Sequence, residues 1–209
     1  MSNQAPPVDP APTKTDIDAC RRCELGEKAT QGVMGEGPSG ARLMLVGEQP
    51  GNDEDLQGRP FVGPAGQLLR AVLAEANIPD SRVYITNAVK HFSFQMRGKR
   101  RLHKTPLQRH IAACHDWLER EIASQRPAVI VTLGATALRA VLGQAMSINI
   151  ARTRELARRD GTPVVATYHP SALLRAPDPE VVARLRATLI ADLKRAADSC
   201  TRRSVGTEP

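Results

Sequence analysis

Four short aliphatic runs, ARLMLVGE (41–48), VYITNAV (83–89), AVIVTLG (128–134) and PVVATYH (163–169), limit what this chain can become. They are rich in Val, Ile and Leu and lack the apolar–polar alternation of a half-wet strand, as expected where both faces of a sheet are covered. Segments of helical period lie between them. AGQLLRAVLAEAN (65–77) sets Leu68, Leu69, Val72 and Leu73 on one stripe, and PEVVARLRATLIADLKRAA makes a long amphipathic C-terminal helix. Thr105 and Pro106 resemble an N-cap and first helical residue ahead of HIAACHDWLEREIA, ATALRAVLG stops at Gly143, and Ser171 can cap the turn after HP. Strands alternating with helices predict an α/β fold, a central four-stranded parallel sheet with helices on both faces. Such sheets bind ligands beyond the carboxyl ends of their strands. The four exits carry GEQPG, TNAVKH, LGATA and YHPSALLR.

The 209 residues suit one domain over 16–199, with the Pro-rich start (1–15) and the polar end (200–209) as flexible tails. No stretch approaches the roughly 18 apolar residues of a membrane span, and MSNQAPPVDPAPTKT lacks a secretory pattern, so a cytoplasmic protein with reduced thiols is expected. Cys20 and Cys23 form a C-x-x-C and Cys114 lies far along the chain, which together make most of a metal site. The fourth ligand is open between Cys200, His115 and His91. Cys200 sits in a polar tail, His115 adjoins Cys114 where helix neighbours point apart, and His91 just beyond the second strand is the preferred choice. Zinc and a four-iron cluster both accept this donor set, and buried unligated cysteines are the plain alternative.

The net charge is +7, and its location says more than its size. Residues 81–115 hold Arg82, Lys90, Arg97, Lys99, Arg100, Arg101, Lys104 and Arg109 and no acid. These are eight of the 29 bases, so the rest of the chain carries 21 bases against 22 acids. An unbalanced block on an otherwise neutral chain attracts polyanions, nucleic acid first among them; a basic but idle loop is the alternative. GEGPSG (35–40) satisfies G-x-G-x-x-G, yet it precedes a strand rather than joining strand to helix and cannot cradle a pyrophosphate. No phosphate-binding loop of the G-x-x-x-x-G-K-[ST] type and no G-x-S-x-G is present.

GEQPGNDEDLQGRPFVGPAG (47–66), TNAVKH (86–91) and TYHPSALLR (167–175) resemble the iron–sulfur, family 4 uracil-DNA glycosylases over roughly residues 15–197. Gln49 and the inserted KRRLH (99–103) resemble the UdgX branch of that superfamily, which bonds covalently to uracil-containing DNA through the histidine of that loop. The resemblance implies a uracil-DNA glycosylase fold, a 4Fe-4S cluster in preference to zinc on Cys20, Cys23, His91 and Cys114, and uracil-containing DNA as partner. The typical family pattern has cysteine where His91 stands.

The resemblance also distributes roles. Phe61 would stack on uracil, where core packing is the plain alternative for a lone Phe. Asn87 offers a donor and an acceptor that match O4 and N3–H of uracil and refuse cytosine, although a turn-forming Asn would look the same. His169 would donate to uracil O2 as charge develops, with Gln49 and Asp55 also assigned to the uracil site. Glu48 or Asp55 would favour the cationic sugar, Ser171 and Arg175 would support His169 or hold phosphate, and Asn52, where Asp is common, receives no catalytic role. Lys99, Arg100, Arg101 and Lys104 would grip phosphates, with Gly98 letting the loop bend close to DNA.

His103 then has two readings: another polar contact on a gripping loop, or a nucleophile that captures the sugar C1′ before water, with Glu48 on its other ring nitrogen. The resemblance implies a catalytic set of Glu48, Gln49, His103 and His169. The expected function is excision of uracil, from single strands in preference, ending in a histidine–C1′ adduct formed by a monomer that associates with the nucleoid when bound to DNA. A turning-over glycosylase of the same type is the first rival, and a non-catalytic iron–sulfur DNA-binding protein the second.

Overall fold

A computed structural model describes residues 11–205, with side chains through Arg202. Helices α1 (Lys14–Asp18) and α2 (Leu25–Lys28) lead into strand β1 (Leu43–Gly47), then α3 (Asn52–Gln57), α4 (Pro64–Glu75) and β2 (Val83–Asn87). A two-stranded ribbon follows, β3 (Phe94–Arg97) and β4 (Arg100–His103), then α5 (Gln108–Gln125), β5 (Val129–Leu133), α6 (Ala135–Leu142) and α7 (Ile148–Ala151). The chain closes with β6 (Leu156–Ala157), β7 (Pro163–Thr167), α8 (Ser171–Arg175) and α9 (Pro179–Val205). No described helix is long and apolar enough to cross a membrane. The expected tails both overlap helices, 1–15 with α1, capped by Thr13, and 200–209 with the last turns of α9; residues 1–10 and 206–209 lie outside the described residues.

The four aliphatic runs are the four parallel strands, ordered β2-β1-β5-β7, and the sheet has a fifth member: β6 pairs antiparallel with β7 at the edge. At two residues β6 is too short to leave a periodic signal, which is why four strands were expected instead of five. Side chains of β1 divide by pleat. Leu43 and Leu45 join α4 and α9 through Leu69, Leu73, Leu189 and Leu193, while Met44 and Val46 join α5 and α6 through Leu118, Ile122 and Leu138. Both faces are thus covered. Burying each such aliphatic side chain stabilises the fold by about 1.5–3 kcal/mol relative to exposure, which holds the strand ends still.

Two local expectations need correction. Helix α5 starts at Gln108 rather than at Pro106, with Leu107 as N-cap, because the Leu107 N–H is taken by His110 Nδ1 at 3.1 Å and Thr105 makes no cap bond. The basic segment is not a loose loop. Arg97 pairs with Arg100 and Phe94 with His103, and Gly98 (φ 60°) opens a two-residue hairpin turn that an L side chain would resist.

Candidate active site

The exits of β1, β2 and β7 and the end of β4 converge on a cleft of about 420 Å³. Glu48, Gln49, Phe61, Asn87, His103, His169, Ser171 and Arg175 line it, together with Glu54 and Thr105. Larger hollows exist; one of about 660 Å³ lies beside Arg42, Arg82 and Cys200 at the opposite ends of the strands, but it gathers no comparable set of convergent polar groups.

The deep wall is built from Phe61 and Asn87. A Cβ at Gly47, the last residue of β1, would collide with both Asn87 Oδ1 and the Phe61 ring, so glycine there lets the two side chains meet. Phe61 sits at φ 54°, a strained conformation for a bulky residue, and is only 5 % exposed, so core packing and a place on the cleft wall coexist. Glu54 fixes this corner, accepting from the Gly51 N–H at 2.9 Å and the Gly63 N–H at 2.8 Å, and so ties the loop after β1 to the loop bearing Phe61. Sequence reasoning missed it, although an acid three residues after an N-cap is the capping-box spacing. Asn87 Oδ1 is buried and has no hydrogen-bond partner among the described residues. An unpaired buried acceptor costs about 1–3 kcal/mol, a deficit that a ligand N–H would remove.

His169 faces this corner, its ring centroid 6.0 Å from that of Phe61. Its Nδ1 accepts from the Ser171 backbone N–H at 3.1 Å, with Ser171 Oγ at 2.8 Å. A nitrogen that accepts from a backbone amide carries no proton, so the neutral ring bears its hydrogen on Nε2 and is a donor into the cleft. Burial lowers the His169 pKa to about 4, and the nearby Arg175 guanidinium pushes the same way. Ser171 therefore orients His169 rather than capping a helix; Arg175, at the end of α8, stands exposed on the cleft rim.

His103 occupies the opposite wall. Its side chain is 49 % exposed, and Nε2 lies 3.4 Å from Glu48 Oε1. Thr136, at the start of α6, donates to Glu48 Oε2 at 2.6 Å. Gln49 borders the cleft, yet its amide is turned to the ribbon. Nε2 donates to the carbonyls of Ser93 (3.1 Å) and Lys104 (3.2 Å), and Oε1 accepts from the Ser93 N–H (3.1 Å). Both amide donors and one acceptor position of Gln49 are thus engaged with the residues flanking the ribbon, so Gln49 supports the base of His103 while its edge still borders the cleft.

Asp55 departs from expectation. It does not line the cleft: fully buried, it accepts from the Thr30 N–H and from Arg101 at 2.6 Å. Arg101 donates as well to Asn52 Oδ1 and lies over the rings of Phe92 and Phe94. Arg101 is thus a brace of the ribbon, not a free phosphate contact. Lys90 leaves the basic patch too. It is fully buried, and its ammonium donates to Glu121 (2.7 Å), Thr86 Oγ1 and the Asn87 carbonyl, stiffening the end of β2. Arg109 pairs with Glu24. Arg97, Lys99, Arg100 and Lys104 remain exposed along the ribbon, with no side-chain partner among the described residues.

The cysteines fall on two sides. Cys114 is buried with Cys23 against the α5 face of the sheet, whereas Cys200 packs with the opposite face and His115 is a surface residue near Glu119. Burial pushes the Cys114 thiol up to about 11. Cys23 packs on the same core cluster as Cys114, and Cys20 is tied to Trp117 of the helix that bears Cys114, so the three thiols share one region. Cys20 Sγ accepts from the Trp117 indole N–H at 3.4 Å. The His91 ring stands beside Gly26 and Gly32, on the segment that follows Cys23, and its Nε2 is buried without a hydrogen-bond partner. Among the described residues no three His, Cys, Asp or Glu side chains surround one point as a single metal ion requires. A four-iron cluster makes a different demand, since each ligand meets a different iron. Three thiols in one region and an orphaned imidazole nitrogen are donors of the type such a cluster takes.

A profile of the Uracil DNA glycosylase superfamily matches residues 34–194. The chain is 39 % identical over 181 residues to a type-4 uracil-DNA glycosylase of Thermotoga maritima, covering 86 % of this chain and 88 % of the relative. It is 36 % identical over 192 residues to a type-4 uracil-DNA glycosylase of Archaeoglobus fulgidus, covering 88 % and 90 %. A type-5 uracil-DNA glycosylase of Pyrobaculum aerophilum is 33 % identical over 176 residues, covering 77 % and 74 %. With that cleft at the strand exits of a covered parallel sheet, the chain belongs to the uracil DNA glycosylase superfamily.

Proposed function

We propose that the protein excises uracil from DNA and retains the product as a covalent adduct through His103. The observation that carries this reading is the placement of His103 beside Glu48, 3.4 Å away, on a cleft whose other wall offers the unpaired Asn87 side-chain oxygen Oδ1 and the His169 Nε2–H. Asn87 Oδ1 would accept from uracil N3–H and its amide would donate to O4. Cytosine, with an acceptor at N3 and a donor at C4, presents the reverse and is refused. Phe61 would supply the apolar surface. Single strands are the expected substrate, because an unpaired base avoids most of the few kcal/mol that flipping from a duplex costs, and one protein molecule suffices. The exposed Arg97, Lys99, Arg100 and Lys104 would hold phosphates on either side of the extruded nucleotide.

As the C1′–N1 bond breaks, its electron pair leaves with uracil, and the His169 N–H donates to the developing charge on O2. One His103 nitrogen keeps its proton toward Glu48 while the other gives its lone pair to C1′. The products are an imidazolium on the sugar, steadied by the Glu48 carboxylate, and a uracil anion that takes a proton from solvent. Cys20, Cys23, Cys114 and His91 would hold a 4Fe-4S cluster, and these four residues would then link the segment before β1 to α5 and to the end of β2, the two elements that flank the ribbon.

The test is a uracil-containing oligonucleotide incubated with the protein and run on a denaturing gel after boiling. Oligonucleotide that migrates with protein supports the covalent reading. Free abasic product in excess of protein rejects it in favour of turnover, and indifference to uracil rejects glycosylase activity altogether.

A further inference from the structure

Of the four strand exits, LGATA after β5 bears no residue yet assigned to the chemistry. Its Thr136 is the second residue of α6, and its hydroxyl does not turn back on its own helix but donates across to Glu48 Oε2 at 2.6 Å. That length is typical of a hydroxyl bonded to an ionised carboxylate. No other hydrogen bond reaches the Glu48 carboxylate among the described residues, so this one selects the Glu48 rotamer and leaves Oε1 toward His103 Nε2, 3.4 Å away. Branching at Cβ leaves threonine two favoured χ1 rotamers in a helix, and the one adopted here turns the hydroxyl to Glu48. The exit itself is held by Gly134 at φ 92°, where a Cβ would also crowd the His169 Cβ.

We infer that Thr136 is a positioning residue for the reaction, acting through Glu48: it anchors one carboxylate oxygen so that the other is presented to His103. The inference rests on the role proposed above for Glu48. Without the hydroxyl, Glu48 is free to rotate to solvent, and the charge formed on His103 or on the sugar loses its fixed counterpart.

The test measures uracil release and adduct formation in the same single-turnover reaction for native protein, Thr136→Val, Thr136→Ser, Glu48→Ala and the double variant Thr136→Val/Glu48→Ala. A hydrogen bond to a charged group is worth about a tenfold to hundredfold effect, so Thr136→Val is expected to slow adduct formation by that factor at unchanged thermal midpoint. Thr136→Ser restores it to within about twofold, and Thr136→Val adds nothing once Glu48 is alanine, the signature of action through that carboxylate. Thr136→Ala, which only removes atoms from a half-buried position, gives the same comparison if valine disturbs folding. Native rates in both Thr136→Val and Thr136→Ala overturn the inference, as does a full additional loss in the Glu48→Ala background. If native protein releases uracil without an adduct, the covalent reading fails by itself. Thr136 is then judged on uracil release alone, where a loss restored by serine supports it and no loss overturns it.

Discussion

Asn87 and His169 stand at or within two residues of the ends of strands buried on both faces, whereas His103 ends a two-stranded ribbon that has no core of its own. The first pair is held by the sheet and by short bonds from neighbours: Lys90 on the Asn87 carbonyl, Ser171 on His169. The ribbon hangs on long-range contacts, Gln49 across its two ends and Asp55 on Arg101. On the proposed function, base recognition would thus fall to the sheet-bound part of the molecule, and the ring proposed to react would be delivered by an appended element that separate side chains secure. If that division is real, changes on the strand ends should alter how fast uracil leaves, and changes on the ribbon should alter what happens to the sugar afterwards.

The sharpest way to break the comparison is His103→Ser, which should remove the gel-stable adduct completely while uracil release continues; an adduct that persists would place the nucleophile elsewhere. Next, His169→Ala should slow single-turnover uracil release by about 10²–10³-fold, as for loss of one preorganised donor, with the fraction of events ending in adduct unchanged. Arg101→Met leaves Asp55 as a buried carboxylate with only the Thr30 N–H. Unfolding in urea should show a loss of about 3 kcal/mol, the low end for breaking a buried pair because Arg101 retains some solvent, and adduct yield should fall more than uracil release. Gln49→Leu should cost about 1–3 kcal/mol and reduce adduct yield with release little changed.

The smallest effect concerns pH. The native His169 ring, with a pKa of about 4, stays neutral where an ordinary histidine near 6.5 already takes a proton. As pH falls from about 6.5 to about 4 the unfolded chain binds that proton first, so this group's contribution to stability is lost across that window and changes no further below it. Uracil release should accordingly show no step near pH 6.5 from His169. Arg175→Met, by removing a nearby positive charge, should move the ring's titration upward in an NMR experiment.

The local aliphatic runs and helical stripes foretold the covered parallel sheet, because burial on two faces leaves an unbroken apolar signature in four or five consecutive residues. Strand ends follow from strands, so Glu48, Asn87 and His169 were readable as neighbours of a cleft before any coordinate, and His103 was singled out by the motif it ends. What the chain alone left hidden depends on partners far away in sequence. Gln49 meets Ser93 and Lys104, Asp55 meets Arg101, Lys90 disappears beneath Glu121, and Thr136 reaches back 88 residues to Glu48. A basic residue looks the same in sequence whether it is solvated or neutralised by a buried acid, and an acid near an active loop looks the same whether it faces substrate or supports the loop. Periodicity is a local property that the sequence carries by itself; which hydrogen bonds each polar group makes is decided only when tertiary packing removes water and leaves that group the partners within about 3 Å.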